Sequence, residues 1–406
     1  MTKVEPLSNF EYQPLDPDQP TAIRIFVLNR GSGNDLIESS ILHTKLRNHS
    51  KSVKYEALSY EWKEASVDDR VILVNDCRIQ IRKNLYDALM QLRLAEKDRY
   101  LWIDALCINQ KNHFERNRQV HMMQSIYKKA QRVILWLGPA KDDSDLAMEI
   151  LELMKATHMG ERQIAECQTR SRKTWRAALL AFCQRSYWHR VWIMQEICLG
   201  QDYIVHCGSK SISGNTFDEC FKELARSRDH GDDWNDMIKE TLAVRHITMF
   251  RYWAQRRQLF RLGKCLDICL DGFIATEPRD FIYGIRGIAS DCGTDELVPD
   301  YEISLKALFF DSIPILTRAN SSPVHIISKL AKKLDLTEDY DVQLCLSGME
   351  RPNNEVWKSE RTYQEDYPAG MRKRLQRRNM MTGSEKGGKR NLDWQLDIDE
   401  PDEQIL

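Results

Sequence analysis

Short apolar blocks and helical repeats alternate through the first half of the chain. Residues 22–28, Ala-Ile-Arg-Ile-Phe-Val-Leu, are rich in β-branched and aromatic side chains and are followed by Gly31-Ser-Gly, which predicts a strand. Tyr55 to Tyr60 repeats the signal. Val71 to Val74 and Arg78 to Ile81 flank Asn75-Asp76-Cys77, a pattern that predicts a hairpin turning at the Asn-Asp pair. Asn84 then stands as an N-cap before Leu85, Ala88, Leu89 and Leu92, which share one helix face. Tyr100-Leu-Trp-Ile-Asp104 is a buried strand that delivers a carboxylate at its end. Val120, Met123, Tyr127 and Ala130 recur at helical spacing, and Val133 to Leu137 is a second buried strand stopped by Gly138-Pro139. Strand, helix and strand at this spacing predict a neighbouring parallel pair with a right-handed crossover. Ligands of open parallel sheets bind beyond the carboxyl ends of the strands, which is where Asp104 and its loop fall.

Further helices are expected over Asp145 to His158 and over Tyr187 to Leu199, and a strand over Tyr203 to Cys207. From Phe217 to Arg261, and again from Asp267 to Ile274, the pattern is helical. The predicted fold is therefore α/β, a mostly parallel sheet flanked by helices, with a helical C-terminal extension. The expected division is a strand-bearing leader over 1–54, a central domain over 55–210, a mainly helical extension over 211–330, and a small element with a charged tail over 331–406. From about residue 355 the tail is expected to be disordered, because its basic run, Arg372 to Arg378, is segregated from six acids between Asp393 and Glu403.

Composition narrows the function. With 59 Lys and Arg against 60 Asp and Glu, the chain's net charge of -1 argues against a general polyanion binder, so nucleic acid is not expected as a partner. Eleven cysteines in 406 residues is too sparse and too odd a count for a disulfide scaffold, and thiols are expected. The polar start and the lack of any long apolar run predict a soluble, cytoplasmic protein with no membrane partner, and the run Arg372 to Arg378 offers nuclear import as the alternative location.

For chemistry, the expected helix Tyr187 to Leu199 carries Trp188, Trp192 and Glu196 at steps of four. A carboxylate on an aromatic face must find a donor, hold a raised pKa or open into a cleft; a salt bridge to a neighbouring Arg is the structural alternative to a working site. Asp104 is either a loop-capping acid or a substrate contact, and Cys107 beside it has no base partner in the sequence pattern. Cys265 and Cys269 have no second pair at zinc-like spacing, so no metal is expected.

These residues belong to longer motifs. Tyr55-Glu-Ala-Leu-Ser-Tyr-Glu-Trp62, Leu101-Trp-Ile-Asp-Ala-Leu-Cys-Ile-Asn-Gln110, Glu115-Arg116, Ile126-Tyr127, Val133 to Gly138 and Arg190-Val-Trp-Ile-Met-Gln-Glu196 resemble, in order and spacing, the heterokaryon incompatibility (HET) domain of filamentous fungi. Glu277-Pro-Arg-Asp-Phe-Ile-Tyr-Gly284 and Val298-Pro-Asp-Tyr301 resemble segments that follow it in many members. Lys63 stands where the family usually has glycine, and Asn112 where an acid often stands. The resemblance implies non-self recognition and regulated cell death, with self-association or a partner incompatibility protein. The family is also similar to Toll/interleukin-receptor (TIR) domains, which implies a flavodoxin-like sheet. Some of those domains cleave NAD with a helix glutamate, and this makes Glu196 the catalytic candidate. Tyr60, Trp62, Asp104, Asn109 and Trp192 are then substrate-binding candidates, with NAD as substrate and no cofactor. The alternative that the resemblance leaves open is a non-catalytic module that signals by self-association.

Overall fold

The computed structural model describes residues 8–33, 35–46, 53–157, 172–226, 241–318 and 324–347, all within one compact unit, Met1–Arg361. The expected tail lies outside the described residues. A nine-stranded sheet has the order β5-β4-β2-β1-β6-β3-β7-β8-β9. The strands are β1 Ala22–Leu28, β2 Glu38–Lys45, β3 Glu56–Tyr60, β4 Arg70–Val74, β5 Cys77–Ile81, β6 Arg99–Trp102, β7 Val133–Trp136, β8 Tyr203–Cys207 and β9 Lys210–Ser213.

The α/β class is as expected, but the sheet is mixed. The block β6-β3-β7-β8 is parallel throughout, and β2 pairs parallel with β4, whereas β1 is antiparallel to both β2 and β6 and the pairs β4-β5 and β8-β9 are antiparallel hairpins. Tight turns make the β4-β5 and β8-β9 hairpins at the two edges, while β1 meets β6 through a long-range antiparallel pairing. A second correction concerns β6 and β7, which run in the same direction but are not neighbours. β3 lies between them and pairs with each. Ala57 to Tyr60 are all buried, so β3 takes the central position that strand-helix-strand spacing assigned to a direct pair.

Several local readings agree with the chain. Asn75 and Asp76, at φ of 50° and 61°, turn the β4-β5 hairpin with Val74 opposite Cys77. Both turn positions are left-handed, a conformation that Asn and Asp tolerate better than most residues. Helix Lys83–Leu92 buries Leu85, Ala88, Leu89 and Leu92. Its N-cap is Arg82 rather than Asn84. The Asn84 amide is occupied elsewhere, donating to the Glu61 carbonyl at 2.8 Å and accepting from the Trp136 indole at 3.0 Å. That amide ties the exit of β3 to the end of β7.

The stretch expected as one helix from Tyr187 to Leu199 is broken. A 3-10 turn, Ser186–His189, gives way to extended Arg190, and an α-helix resumes over Ile193–Leu199. Backbone pairing causes the break: Val191 donates to the Ile274 carbonyl at 3.0 Å, and the Ile274 amide donates to that of His189 at 2.5 Å. Amides committed to a distant segment cannot continue the helical ladder. Trp188 therefore does not share a face with Glu196. It is fully buried, stacks on Phe217 with centroids 5.3 Å apart and donates to the Phe182 carbonyl.

The short helix ends against another buried cation. Arg251 donates to the carbonyls of Ile197 at 2.6 Å and Gly200 at 2.9 Å, satisfying and charge-balancing the negative end of the helix. The helices that follow the last strand among the described residues are Gly214–Arg226, Leu242–Gln255, Leu262–Gly272, Asp280–Arg286, Leu305–Leu316, Val324–Lys333 and Tyr340–Leu346. Among the described residues no helix is long and apolar enough to cross a membrane.

Gly200 is required by close approach. A Cβ there would sit 2.6 Å from Cγ2 of Val133, on the buried strand β7. Gly200→Ala should cost about 1 to 3 kcal/mol in denaturant unfolding, an overpacking penalty. A loss below about 0.5 kcal/mol would show that the helix end can move off the sheet.

Candidate functional site

Alternate residues of β3 face opposite sides of the sheet. Ala57 and Ser59 face the side covered by helices His113–Lys129 and Ile193–Leu199, and Leu58 and Tyr60 face the other. The register carries the same alternation to the paired strands, with Trp102 opposite Ala57 and Trp136 opposite Tyr60. Trp102 meets Tyr127 of helix His113–Lys129 edge to face, with centroids 5.5 Å apart.

Glu196 lies under the Ser59 side and is 1% exposed. The Ser59 hydroxyl donates a short hydrogen bond to Glu196 Oε2. A hydroxyl has one proton, so the 2.6 Å contact between Ser59 Oγ and the Tyr187 hydroxyl runs with Tyr187 donating. Arg190 reaches both carboxylate oxygens, Nη1 to Oε2 and Nη2 to Oε1, each at 3.4 Å. Burial works to lower the Arg190 pKa, but the nearby carboxylates, Glu196 first and then Asp104, outweigh it and the guanidinium is held more firmly protonated than usual. The carboxylate is therefore neutralised by a cation six residues earlier, across the break in the expected helix. Tyr127 brings a buried hydroxyl into the electrostatic reach of Glu196, Asp104 and Arg190, and it has no hydrogen-bond partner among the described residues.

Asp104 opens the short helix Asp104–Cys107 beyond β6. Its Oδ1 accepts from its neighbour's amide, Ala105, at 2.7 Å and from the Trp62 indole at 3.1 Å. Burial, reinforced by the nearby charge of Glu196, pushes its pKa up to about 6, against the opposing pull of Arg190. Trp62 is 48% exposed, an aromatic surface held in place by that indole hydrogen bond. Asp104 is thus both a loop cap and a member of the charged group around Glu196.

The other candidates separate. Tyr60 is buried on the opposite face of β3, with its pKa raised first by burial and then by Asp104. Asn109 belongs to a different cluster. Its amide donates to Glu115 Oε1 at 2.7 Å, and its side chain accepts from Lys111 N at 3.2 Å. Glu115 in turn forms a buried ion pair with Arg24 of β1, with 2.5 Å between Oε1 and Nη1. Asn112 caps helix His113–Lys129 by accepting from the Glu115 amide at 3.0 Å, a role an acid would fill equally well. Lys63 pairs with Glu61 at 2.6 Å on the surface. Cys107 is buried, and burial pushes its thiol up to about 12, which leaves it a poor nucleophile.

Trp192 is the N-cap residue of helix Ile193–Leu199, and its indole is clasped by the helical extension. It hydrogen-bonds Asp280, and Gly284 packs against it, with the ring 3.5 Å from where a Cβ would stand. Asp280 also accepts from the Tyr301 hydroxyl at 2.7 Å, and Arg116 lies over the Tyr301 ring at 4.5 Å. Burial pushes the Asp280 pKa up to about 6.

Pattern reading missed Ser59, Tyr127, Tyr187, Arg190 and Asp280 as members of this arrangement. All but Tyr187 stand inside the motifs quoted above, so the signal was their presence in those motifs. The ten cysteines described form no disulfide, and no group of three His, Cys, Asp or Glu residues able to hold a metal occurs among the described residues.

The raised Asp104 pKa fixes the sign of a pH effect. Between the unfolded value near 4 and the folded value of about 6 the folded chain binds more protons than the unfolded chain. The Asp104 contribution is therefore fully present below pH 4 and is lost as pH rises through 6. Asp104→Asn should remove that loss and gain up to about 2 kcal/mol relative to wild type at pH 7 compared with pH 4. Unfolding free energies of both proteins at the two pH values check this; a constant difference would mean that Asp104 titrates normally.

Comparison with known proteins places these residues. The family described as "Heterokaryon incompatibility protein (HET)" matches residues 55–196, from the start of the β3 motif to Glu196 itself. The chain is 26% identical over 305 residues to a Neurospora crassa protein, "Heterokaryon incompatibility protein 6, OR allele", a match covering 62% of this chain and 45% of that relative. The chain thus spans less than half the length of this curated relative. No solved structure matches it significantly. Residues 55–196, which contribute Ser59, Asp104, Tyr127, Arg190 and Glu196, are therefore a HET domain.

Proposed function

We propose that the chain acts in fungal heterokaryon incompatibility, as an effector of non-self recognition and regulated cell death. In this reading the HET domain signals by associating with a second copy or with a partner incompatibility protein, and Glu196 holds the fold. The carrying observation is the state of that carboxylate: 1% exposed, with both oxygens committed, to Ser59 and Arg190. A group that must stabilise a cationic sugar has to touch it, and a carboxylate closed off by an Arg does not. A second reading keeps TIR-like NAD cleavage at the same residues, after Arg190 swings away from Glu196. It is favoured by the exposed Trp62 ring held on the Asp104 carboxylate and by the unpartnered Tyr127 hydroxyl near them.

Glu196→Gln separates these readings. Gln keeps the size and the Ser59 hydrogen bond but leaves Arg190 with an uncompensated charge, so the structural reading predicts a loss of about 3 kcal/mol in stability. Wild type and variant are incubated with NAD, free nicotinamide is measured, and melting temperatures are recorded alongside. Absence of nicotinamide release from both, with a lowered melting temperature for the variant, is the expected result. Release by wild type only, at matched stability, would establish the enzyme.

A further inference from the structure

We propose that the chain binds a phosphate-bearing nucleotide in a cleft at the opposite end of the sheet from Asp104 and Trp62. The cleft has a volume of about 720 Å³ and lies at the amino ends of the parallel strands, lined by Lys54, Lys97, Arg99, Tyr100, Arg132 and His206 among others. That volume falls within the range of small-molecule sites. Its floor follows from register: alternation from Glu56 opposite Leu101 and from Val133 opposite Tyr203 sets Glu56, Arg132, Ile204 and His206 on one face.

Three features of the lining point to the ligand. Glu56 is neutralised by Arg99 at 2.5 Å and by a short contact from Arg132 Nε, which leaves the terminal nitrogens of Arg132 without a partner among the described residues. No ion pair engages Lys54 or Lys97 among the described residues, so two ammonium groups and the terminal nitrogens of Arg132 stand at the opening, beside the carboxylates of Asp98 and Asp202. His206 adds a buried Nδ1 with no hydrogen-bond partner. Burial and the charges of Arg99 and Arg132 push its pKa down to about 4, so at neutral pH the ring is uncharged and can donate or accept. Such a set suits phosphate oxygens, for which guanidinium and ammonium donors are matched. Tyr100, 40% exposed, is a lining residue at the edge of the cleft and the aromatic group nearest to hand for a base. Asp98 and Asp202 also line the cleft, and each uses one carboxylate oxygen on a backbone amide, of Arg30 and Tyr203 respectively. Their remaining oxygens are acceptors for sugar hydroxyls, which separates a nucleotide from a bare polyphosphate.

Isothermal titration with ADP and with inorganic pyrophosphate tests this on the full chain. ADP is expected to bind, and the double variant Lys54→Glu with Lys97→Glu, both surface positions, should weaken it at least tenfold at an unchanged melting temperature. Tyr100→Ala should weaken ADP and leave pyrophosphate as it was. No binding of ADP at millimolar concentration, or binding indifferent to the charge reversal, would overturn the site. Pyrophosphate binding as well as ADP, with no effect of Tyr100→Ala, would overturn its assignment to nucleotides. Because the cleft shares no residue with the Glu196 group, neither result depends on whether the chain cleaves NAD.

Discussion

A buried carboxylate has to be compensated, and the centre of this molecule is organised around how Glu196 is. Left alone in the interior, its charge would cost several kcal/mol. Ser59 from the central strand and Arg190 from the break before its own helix supply the compensation. The extended backbone at Arg190, set by the pairing with Ile274, is what lets the two meet. An uninterrupted helix would place Arg190 six residues before Glu196, more than one and a half turns away and round the axis, out of reach of a paired contact.

The break depends on the segment that follows. Extended Arg190 forms a parallel bridge with Ile274, just past helix Leu262–Gly272, through the His189 carbonyl and the Val191 amide. Asp280 and Gly284 then close over Trp192, while Arg251 holds the other end of the short helix. The matched family segment stops at Glu196, yet the groups that hold Glu196's helix in place come from residues 251–284. The HET segment and the helices after it are one mechanical unit around this carboxylate.

The sequence made some of this legible. Element type was readable where burial is one-sided or turn chemistry is explicit, as in the Asn75-Asp76 hairpin and the apolar face of Lys83–Leu92. Strand order was not, because β3 enters between β6 and β7 through pairings that no local periodicity encodes. Trp188, Trp192 and Glu196 keep helical spacing through a segment that is not a continuous helix, since pairing with distant Ile274 overrides the local pattern. Asp104, Trp62 and Glu196 were named as candidates from the motifs, but only contacts show that the Trp62 indole rests on Asp104 within the electrostatic reach of Glu196. That Glu196 is closed off by Arg190, and that Asn109 serves a separate Arg24-Glu115 cluster, follow only from three-dimensional contacts.

The central claim is that Arg190 and Glu196 stabilise the fold as a pair, and a double-mutant cycle measures this directly. Unfolding free energies of wild type, Arg190→Met, Glu196→Gln and the double variant isolate the coupling from the separate cost of each change. A coupling of about 1 to 3 kcal/mol, with the double variant less destabilised than the sum of the single ones, is the predicted result. Additive losses, with coupling within about 0.5 kcal/mol of zero, would contradict the account and leave Glu196 free for another role.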